Sequence, residues 1–326
     1  MMANIKISVI VPAYNVKDYI EESLRSLLVQ DSGFHEIIIV DDGSNDGTSE
    51  ILKNYNNAKN IKIISIANGG QGNARNIGMA ASSGDYIYFF DSDDILHDEF
   101  VRRVNHKLQK SNFPDILFFA GKSFFTPGYK TDFFPDYSRG FEAENVSGEE
   151  ALSMFSKHGR VSSQPCLYIS KRSLWSANNL KFKKSSHEDE EILYPLILAA
   201  ERVCVQDQVL FYRRVRPMSF MTTPKSKKKA YGCYVIMLSL VDLCLTFKPK
   251  LPTTKRLILE RAAMYSSKYT RLSKSINEKI DFKTILICSI KVKSINLFIR
   301  AMYGHQRENA TRLTRLFKPT WRVKTE

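Results

Sequence analysis

The sequence contains few cysteines, and no two of them are close together. Five of the 326 residues are cysteine, and no Cys-x-x-Cys pair occurs. Disulfide frameworks and zinc sites use paired or clustered cysteines, so the spacing argues against both and indicates reduced thiols in the cytoplasm. The first residues, MMANIKISVIVPAYN, hold one lysine before an apolar run and no cleavage site. They predict a first β-strand rather than a signal peptide.

The chain also lacks two common phosphate-binding motifs. The turn after the first apolar run, VPAYN, contains no glycine. A dinucleotide-binding fold needs G-x-G-x-x-G at that point. The glycine stretch GGQGNAR follows a later strand and has Arg75 where the third glycine would stand, and no G-x-x-x-x-G-K-[ST] occurs. The sequence therefore excludes a dinucleotide-binding dehydrogenase and a P-loop nucleotidase.

Acidic residues are scarce in the last third of the chain. Residues 1–224 contain 25 Lys and Arg against 28 Asp and Glu, a net charge of −3. Residues 225–326 contain 23 against 6, a net charge of +17. This asymmetry predicts an anionic partner for the last third, either a membrane surface or a nucleic acid.

The first hundred residues alternate between apolar runs and helical patterns. The runs SVIV, EIIIV, IKIISI and DYIYFF have the length and composition of buried strands. Between them lie DYIEESLRSLLVQ, SEILKNY and a glycine loop that enters a helix at NARNIGMAASS. The resulting β-α-β-α-β-α-β order predicts a doubly wound α/β sheet, in which ligands bind at the carboxyl ends of the strands.

Polar clusters follow all four predicted strands. The carboxyl ends of parallel strands lie at one edge of a sheet, so we expect these clusters to form a single ligand-binding rim. They are Pro12, Tyr14 and Asn15 after the first strand, Asp41 and Asp42 after the second, Asn68, Gln71 and Arg75 after the third, and Asp91 and Asp93 after the fourth.

The last cluster, DSDD, places three carboxylates within residues 91–94. One interpretation is a polar loop whose acids cap the next helix. The other is a site for a hard divalent cation, which relieves the repulsion between carboxylates and takes oxygen ligands. In combination with the other three clusters, the motif favours a metal site, and Mg²⁺ or Mn²⁺ suits such ligands.

Four segments carry a resemblance to a known family. They are SVIVPAYNVKDYIEESLRSLLVQ, IIIVDDGSNDGT, NGGQGNARNIGMAASSGDYIYFFDSDD and HEDEE. Together they resemble bacterial family-two glycosyltransferases of the GT-A fold, especially enzymes of capsule, O-antigen lipopolysaccharide and exopolysaccharide assembly. The resemblance implies a GT-A domain over residues 1–224, with a nucleotide-sugar half at about 1–110 and an acceptor half at about 111–224. A basic helical region, 225–326, follows it.

The resemblance assigns the base-binding role to the first two strand ends. It implies that Pro12, Ala13 and Tyr14 line the uracil. It also implies that Asp42 accepts a hydrogen bond from the ring N–H, while Asp41 caps the helix behind its turn.

The resemblance places the later strand ends at the sugar and the phosphates. Asn68 and Arg75 would lie beside the nucleotide, although a surface arginine paired with a nearby acid is the alternative for Arg75. Asp91 would face the ribose and Asp93 would hold the metal, with Asp94 as a frequent third acid of the motif.

A second acidic motif follows much later, at the predicted helix that begins near His187. Acids in a first helical turn complement the helix dipole, but four in succession exceed that need. The resemblance implies that Asp189 is the catalytic base and that Glu188 positions the acceptor. His187 is the alternative base because its ordinary pKa lies near neutrality.

Three arginines and a serine after the next strand resemble the family's loop that closes over the diphosphate. Arg214 and Ser219 are the predicted nucleotide contacts. Arg213 and Arg216 remain alternatives, because the sequence does not show which arginine faces the phosphates.

The basic third predicts a peripheral membrane element. Residues 230–247 carry one charge, Asp242, and are barely long enough to span a bilayer, which favours a buried or interfacial helix. Leu316, Phe317 and Trp321 are interleaved with basic residues, as in membrane-surface segments. No nucleic-acid-binding motif accompanies them, so nucleic acid is not an expected partner. A helical bundle with a solvated basic face is the alternative.

These patterns together predict an inverting, metal-dependent glycosyltransferase at the inner face of the cell membrane. Its donor would be a nucleotide-sugar, specifically a UDP-sugar, and its acceptor a hydroxyl of a growing, lipid-linked surface polysaccharide. Two other classes stay open. A nucleotidyltransferase or pyrophosphorylase would carry a glycine-rich basic loop after the first strand, and a non-enzymatic module that binds anionic polymers would not use the strand-end acids.

Overall fold

A mixed nine-stranded sheet organises the first of two units into which the chain divides, Met1–Thr223 and Pro224–Glu326. The computed structural model describes residues 5–129, 131–132, 134–185, 187–217, 219 and 223–316, with the backbone alone for 307–316. The strands are β1 (Ile7–Ala13), β2 (Glu36–Asp41), β3 (Ile61–Ser65), β4 (Tyr86–Phe89), β5 (Ile95–Leu96), β6 (Ile116–Phe125), β7 (Ala143–Val146), β8 (Tyr168–Lys171) and β9 (Val203–Val215).

The first four strands form the parallel half of the sheet. The strand order is β3-β2-β1-β4-β8-β6-β9-β5, and β7 pairs with β9. β1 is parallel to β2 and β4, and β2 is parallel to β3, so the ends of these strands share one edge. β8 is antiparallel to both β4 and β6, and β6 is parallel to β9. The predicted α/β architecture is confirmed, with a mixed parallel and antiparallel extension beyond β4.

Seven helices and a short 3-10 turn in the described part of the first unit surround this sheet. They are α1 (Ile20–Leu28), α2 (Thr48–Lys53), α3 (Gln71–Ala80), α4 (Phe100–Lys110), α5 (Gly148–Lys157), the turn Pro165–Leu167, α6 (Arg172–Ala177) and α7 (Glu188–Ala199).

Helices cover both faces of the parallel strands. Val9 of β1 joins Leu24 of α1 and Phe100 of α4 in one large apolar cluster. Ile38 of β2 packs with Ala74 of α3 in a second cluster. Because side chains alternate between the faces of a strand, burial on both faces requires the continuous apolar runs that the sequence shows.

One glycine lets α3 approach the sheet closely. A Cβ atom at Gly78 would lie 2.4 Å from Cγ2 of Ile10 and 3.3 Å from Cγ2 of Val40. Real side chains do not come so near, so glycine is required here. This close packing fixes the position of the preceding turns of α3, which include Arg75.

The second unit contains four helices in its described residues. They are α8 (Lys227–Thr246), α9 (Pro252–Ser275), α10 (Phe282–Lys291) and α11 (Ile295–Leu316). α9 packs against α8 and α11, and α10 packs against α11. The predicted helical character of this region is confirmed.

Helix α8 contains the apolar stretch singled out in the sequence. Among the described residues it is the helix whose length and composition would permit a membrane crossing. Ile236, Met237 and Leu240 are buried, whereas Tyr231 and Leu245 are exposed. The helix therefore contributes one face to the core of the second unit.

The cysteines are all free and buried. Two lie in the first unit and three in the second, and each side chain is at most 7% exposed. They are Cys166, Cys204, Cys233, Cys244 and Cys288.

Candidate active site

The end of β2 is tied to the glycine loop that precedes α3. The carboxylate of Asp42 accepts hydrogen bonds from the backbone N–H groups of Gly69 (2.7 Å) and Gly70 (2.8 Å). The side-chain amide of Asn68 donates to the Asp42 carbonyl at 3.1 Å. Asp42 and Asn68, which were both predicted to contact the nucleotide, therefore lie together at the rim.

The end of β1 lies beside this connection. Pro12 and Ala13 are the last residues of the strand and are buried, whereas Tyr14 is 47% exposed. A backbone bond joins the strand ends, since the N–H of Asp42 donates to the Ala13 carbonyl at 2.8 Å. Asp41 instead accepts from the Ser44 N–H at 3.0 Å, within the turn that leads to α2.

Arg75 connects the two acidic motifs of the chain. One terminal nitrogen donates to Asp91 at 2.8 Å, and the other donates to Glu188 at 2.9 Å. Its side chain is 2% exposed, and its guanidinium lies over the ring of Phe182 at 5.3 Å from the centroid. Although burial opposes its charge, the carboxylates of Asp91 and Glu188 raise the pKa of Arg75. Arg75 is therefore a buried cation between two carboxylates, not a surface arginine.

The three acids that follow β4 have different surroundings. Asp91 accepts from Gln71 at 2.9 Å as well as from Arg75. Asp93 forms an ion pair with Arg216 at 2.6 Å. Asp94 is 2% exposed and accepts from the backbone N–H of Arg214 at 2.7 Å. Burial and the charges of Asp93 and Asp91 raise the pKa of Asp94 well above its ordinary value.

The three arginines near the end of β9 have different side-chain partners. Arg214, the predicted nucleotide contact, is 4% exposed and donates to the Asp93 carbonyl and to Glu22. Its guanidinium lies near the rings of Tyr19 and Phe124. A nucleotide-binding role for Arg214 stays a prediction.

Arg213 and Arg216 point to different partners. Arg213 bonds to the hydroxyl of Tyr137, and Arg216 reaches the carboxylate of Asp93. Arg216 is therefore the arginine whose side chain meets the acid predicted to hold the metal. Ser219 lies beyond β9, where its carbonyl accepts the Thr223 N–H at 3.0 Å.

Helix α7 begins at Glu188, as the sequence predicts. Asp189 accepts from the hydroxyl of Ser163 at 3.1 Å and from the backbone N–H of Glu190 at 2.8 Å. Burial and the neighbouring Glu190 raise the pKa of Asp189, while Arg75, His187 and Ser163 oppose the shift. A carboxylate with a raised pKa binds a proton more readily, which suits a general base.

Glu188 shares this surrounding but has a different partner. Burial raises its pKa, and the charge of Arg75 offsets part of that effect. Its ion pair with Arg75 turns its carboxylate toward Asp91, while Asp189 is held by Ser163.

One cluster of possible metal ligands includes two of the acids that follow β4. Oxygen or sulfur atoms of Asp91, Asp94 and Cys166 lie within 4.8 Å of one another. Burial raises the pKa of both Asp94 and Cys166, and a cysteine sulfur suits softer metals than Mg²⁺ or Mn²⁺. Asp91 and Asp93 are partly exposed at the rim, and each already pairs with a cationic arginine. Their carboxylates fit a hard divalent cation better.

Sequence reasoning missed several residues of this region. Ser163 belongs to a stretch in which no motif was visible, and only the fold brings it to Asp189. Tyr19 lies near Arg214 and Arg216, and Phe182 supports Arg75. Aromatic residues are common in cores, so no sequence signal distinguished these two.

Comparison with known proteins gives a family match for the first half of the chain. Residues 8–162 match the sequence model described as "Glycosyl transferase family 2". These residues carry a family-two glycosyltransferase domain. The chain is 32% identical over 225 residues to the uncharacterized glycosyltransferase EpsJ of Bacillus subtilis, which covers 67% of this chain and 63% of EpsJ. It is 28% identical over 287 residues to the minor teichoic acid biosynthesis protein GgaB of the same organism, covering 84% of this chain and 30% of GgaB.

The family fold extends to solved structures. Residues 1–349 of Staphylococcus aureus TarS match with a TM-score of 0.68 and 21% identity, over 96% of this chain and 93% of that one. This confirms the GT-A fold. The chain spans less than two thirds of the length of the two curated relatives named above, 63% of EpsJ and 30% of GgaB.

Proposed function

We propose that this glycosyltransferase is an inverting, metal-dependent enzyme that moves a sugar from a UDP-sugar to a hydroxyl of a growing surface polysaccharide. The observation that carries the proposal is the Arg75 bridge. It joins Asp91, at the rim where the parallel strands end, to Glu188, beside the candidate base Asp189. The bridge brings together two acidic motifs that are far apart in sequence, which supports a shared site for donor and acceptor.

The proton transfer is assigned to Asp189. The acceptor hydroxyl attacks the anomeric carbon as the bond from that carbon to the UDP oxygen breaks. Asp189 takes the hydroxyl proton, and UDP leaves with the bonding electrons. A single displacement inverts the anomeric centre, so an α-linked donor gives a β-linked product. The raised pKa of Asp189 supports this role.

The donor is assigned to the rim. Tyr14 offers an exposed ring for the base, at the end of β1 where Pro12 and Ala13 lie. Each carboxylate oxygen of Asp42 has a second lone pair beyond its bond to the glycine loop, so it can still accept the uracil N–H. Asn68 lies beside it, and Arg214 and Ser219 remain proposed contacts from the end of β9.

Asp93, with Asp91 beside it, would hold the metal ion. Mg²⁺ or Mn²⁺ bound there would supply positive charge that stabilises the leaving diphosphate. The fit rests on the exposed oxygen ligands of the rim and on the fact that Asp93 already accommodates one cation, the guanidinium of Arg216.

The substrate class is supported by named relatives. The chain is 40% identical over 101 residues to TarS of S. aureus, a "Poly(ribitol-phosphate) beta-N-acetylglucosaminyltransferase", which covers 30% of this chain. A TarS structure has also been solved with UDP-GlcNAc. UDP-GlcNAc is therefore the first donor to test. The proposal includes a lipid-linked acceptor and a peripheral location at the inner face of the cell membrane.

The test is donor turnover by the purified full chain. UDP release from UDP-GlcNAc and other UDP-sugars is measured with and without Mn²⁺, with water as the acceptor where no glycan is supplied. We expect metal-dependent release that Asp189→Asn lowers while UDP affinity is kept. Release of pyrophosphate from a nucleoside triphosphate and a sugar phosphate, without UDP release from any donor, would overturn the proposal.

A further inference from the structure

Exposed apolar side chains are concentrated on the last two helices of the second unit. Of the 14 large apolar side chains that are exposed among the described residues, seven lie between residues 286 and 303. Single exposed apolar residues are ordinary on a protein surface, but a contiguous group marks an interaction site. The seven are Leu286, Ile287, Ile290, Ile295, Ile299, Met302 and Tyr303.

The spacing of these residues defines one stripe on each helix. Leu286 and Ile290 are four positions apart on α10, with Ile287 beside them. Ile295, Ile299, Met302 and Tyr303 repeat at intervals of three and four on α11, which places them on one face. We call these the α10 stripe and the α11 stripe.

Each helix is anchored by its other face. Ile285 and Cys288 of α10 are buried, as are Leu297 and Ala301 of α11. The ring of Phe282 lies 6.4 Å from that of Phe298, between the two helices. Among the described residues, the core of the unit is therefore formed without the stripes.

A tight turn connects the two stripes. Ser294 donates its N–H to the Ser289 carbonyl at 2.9 Å, and the Ser289 hydroxyl donates to the Ser294 carbonyl at 2.7 Å. Ile290 and Ile295 stand on either side of this turn and are 67% and 64% exposed. The most exposed isoleucines are thus at the point where α10 meets α11.

The charged residues between positions 282 and 307 of the chain have one sign. Residues 282–307 contain five Lys or Arg and no Asp or Glu. Lys283, Lys291, Lys293 and Arg300 are exposed alongside the apolar residues. Apolar residues bordered by cations fit the interface of a bilayer that contains anionic lipids, since the apolar groups enter the acyl boundary and the cations meet the headgroups.

We propose that the α10 and α11 stripes form a docking face for an anionic membrane surface. The docking face depends on the proposed function in one respect: access to a lipid-linked acceptor is the reason for the enzyme to bind a membrane. The residues of this face are not those predicted from sequence, which were Leu316, Phe317 and Trp321. Phe317 and Trp321 lie outside the described residues, as does the side chain of Leu316. The face lies in the second unit, whereas the catalytic and nucleotide residues are in the first.

Vesicle sedimentation with the full chain tests the proposal. Binding is compared between phosphatidylcholine vesicles and vesicles that also contain phosphatidylglycerol, at low and high salt. The test variant is Ile290→Ser with Ile299→Ser, and a second variant is Lys291→Gln with Lys293→Gln. Leu245→Ser with Lys248→Gln is the matched control, since it removes one exposed apolar group and one exposed cation of the same unit outside the stripes.

We expect strong binding to the anionic vesicles, weak binding to the neutral ones and release by high salt. Each stripe variant should bind on the order of tenfold more weakly or worse, and the control should bind like the unaltered chain. Unchanged binding of the serine variant would overturn the proposal. So would equal binding to both vesicle types, or a self-associated chain that ignores vesicles but dissociates in the serine variant.

UDP affinity, measured by calorimetry on the same proteins, separates this inference from the proposed function. Vesicle binding without UDP binding would leave the docking face standing and reject the enzymatic proposal. UDP binding without vesicle binding would reject the docking face and leave the enzymatic proposal standing.

Discussion

Replacing Arg75 should destabilise the first unit more than any surface arginine does. Arg75→Gln removes the guanidinium that pairs with Asp91 and Glu188 and leaves a shorter, uncharged polar side chain. Breaking one side of a buried ion pair costs about 3–5 kcal/mol, because an uncompensated charge remains. Asp91 is 25% exposed and can regain water, whereas Glu188 is 10% exposed and cannot do so as readily. We therefore expect the lower end, about 3 kcal/mol of unfolding free energy.

The assay is guanidinium-induced unfolding of the full chain, with the transition followed by circular dichroism. Arg102→Gln is the control, because Arg102 also pairs with two acids, Asp31 and Glu99, but its side chain is 56% exposed. Exposed ion pairs contribute about 0–1 kcal/mol, so the control variant should lose no more than about 1 kcal/mol of unfolding free energy. Equal small losses in the two variants would refute the assignment of Arg75 as the connection between the motifs.

The same experiment has a pH dependence with a definite sign. Arg75 lowers the pKa of Glu188 against the effect of burial. Without Arg75, the pKa of Glu188 rises further, so the folded variant gains stability as the pH falls and the carboxyl takes up a proton. The stability difference between Arg75→Gln and the unaltered chain should therefore be largest near neutral pH and narrow as the pH is lowered. A difference that widens toward acid pH would contradict this account.

Three further predictions concern catalysis. Asp189→Asn should lower kcat on the order of 10²-fold or more with near-normal UDP affinity, and a larger loss in His187→Ala would make His187 the base. Ser163→Ala removes a hydrogen bond that stabilises the Asp189 carboxylate. The pKa of Asp189 should rise, and the acid limb of the kcat/KM profile should move to higher pH; an unmoved limb would exclude Asp189 as the titrating base. Asp93→Ala should abolish the Mn²⁺-dependent part of UDP binding without unfolding the chain, which calorimetry and circular dichroism can check.

The parallel half of the fold could be predicted from sequence because its signals are local. EIIIV is buried on both faces, and each strand is followed at once by turn residues and polar side chains. The rim followed from topology alone, since parallel strands end at one edge. Asp42 and Asn68 meet there as a result.

The contacts of the site could not be predicted because they depend on distant parts of the chain. Arg75 and Glu188 are 113 residues apart, and their pairing depends on how α3 and α7 pack. Arg214 and Arg216 are two residues apart, so strand alternation does not separate them. Both lie near the Tyr19 ring, but tertiary packing places Arg214 against Phe124 and Arg216 at the carboxylate of Asp93.

In the second unit, hydropathy could not show which apolar residues are buried and which are exposed. Ile285 and Ile290 are both isoleucines of α10, but Ile285 is fully buried and Ile290 is 67% exposed. Only the position of the helix against its neighbours decides which of them faces solvent.

The buried thiols give the native protein an internal reporter of its own opening. Burial raises the pKa of the Cys166, Cys244 and Cys288 thiols, so the reactive thiolate is scarce as well as inaccessible. An alkylating reagent can modify them only when the surrounding structure opens. Mass spectrometry of the labelled peptides would therefore report local unfolding separately for the first unit, through Cys166 and Cys204, and for the second unit, through Cys244 and Cys288.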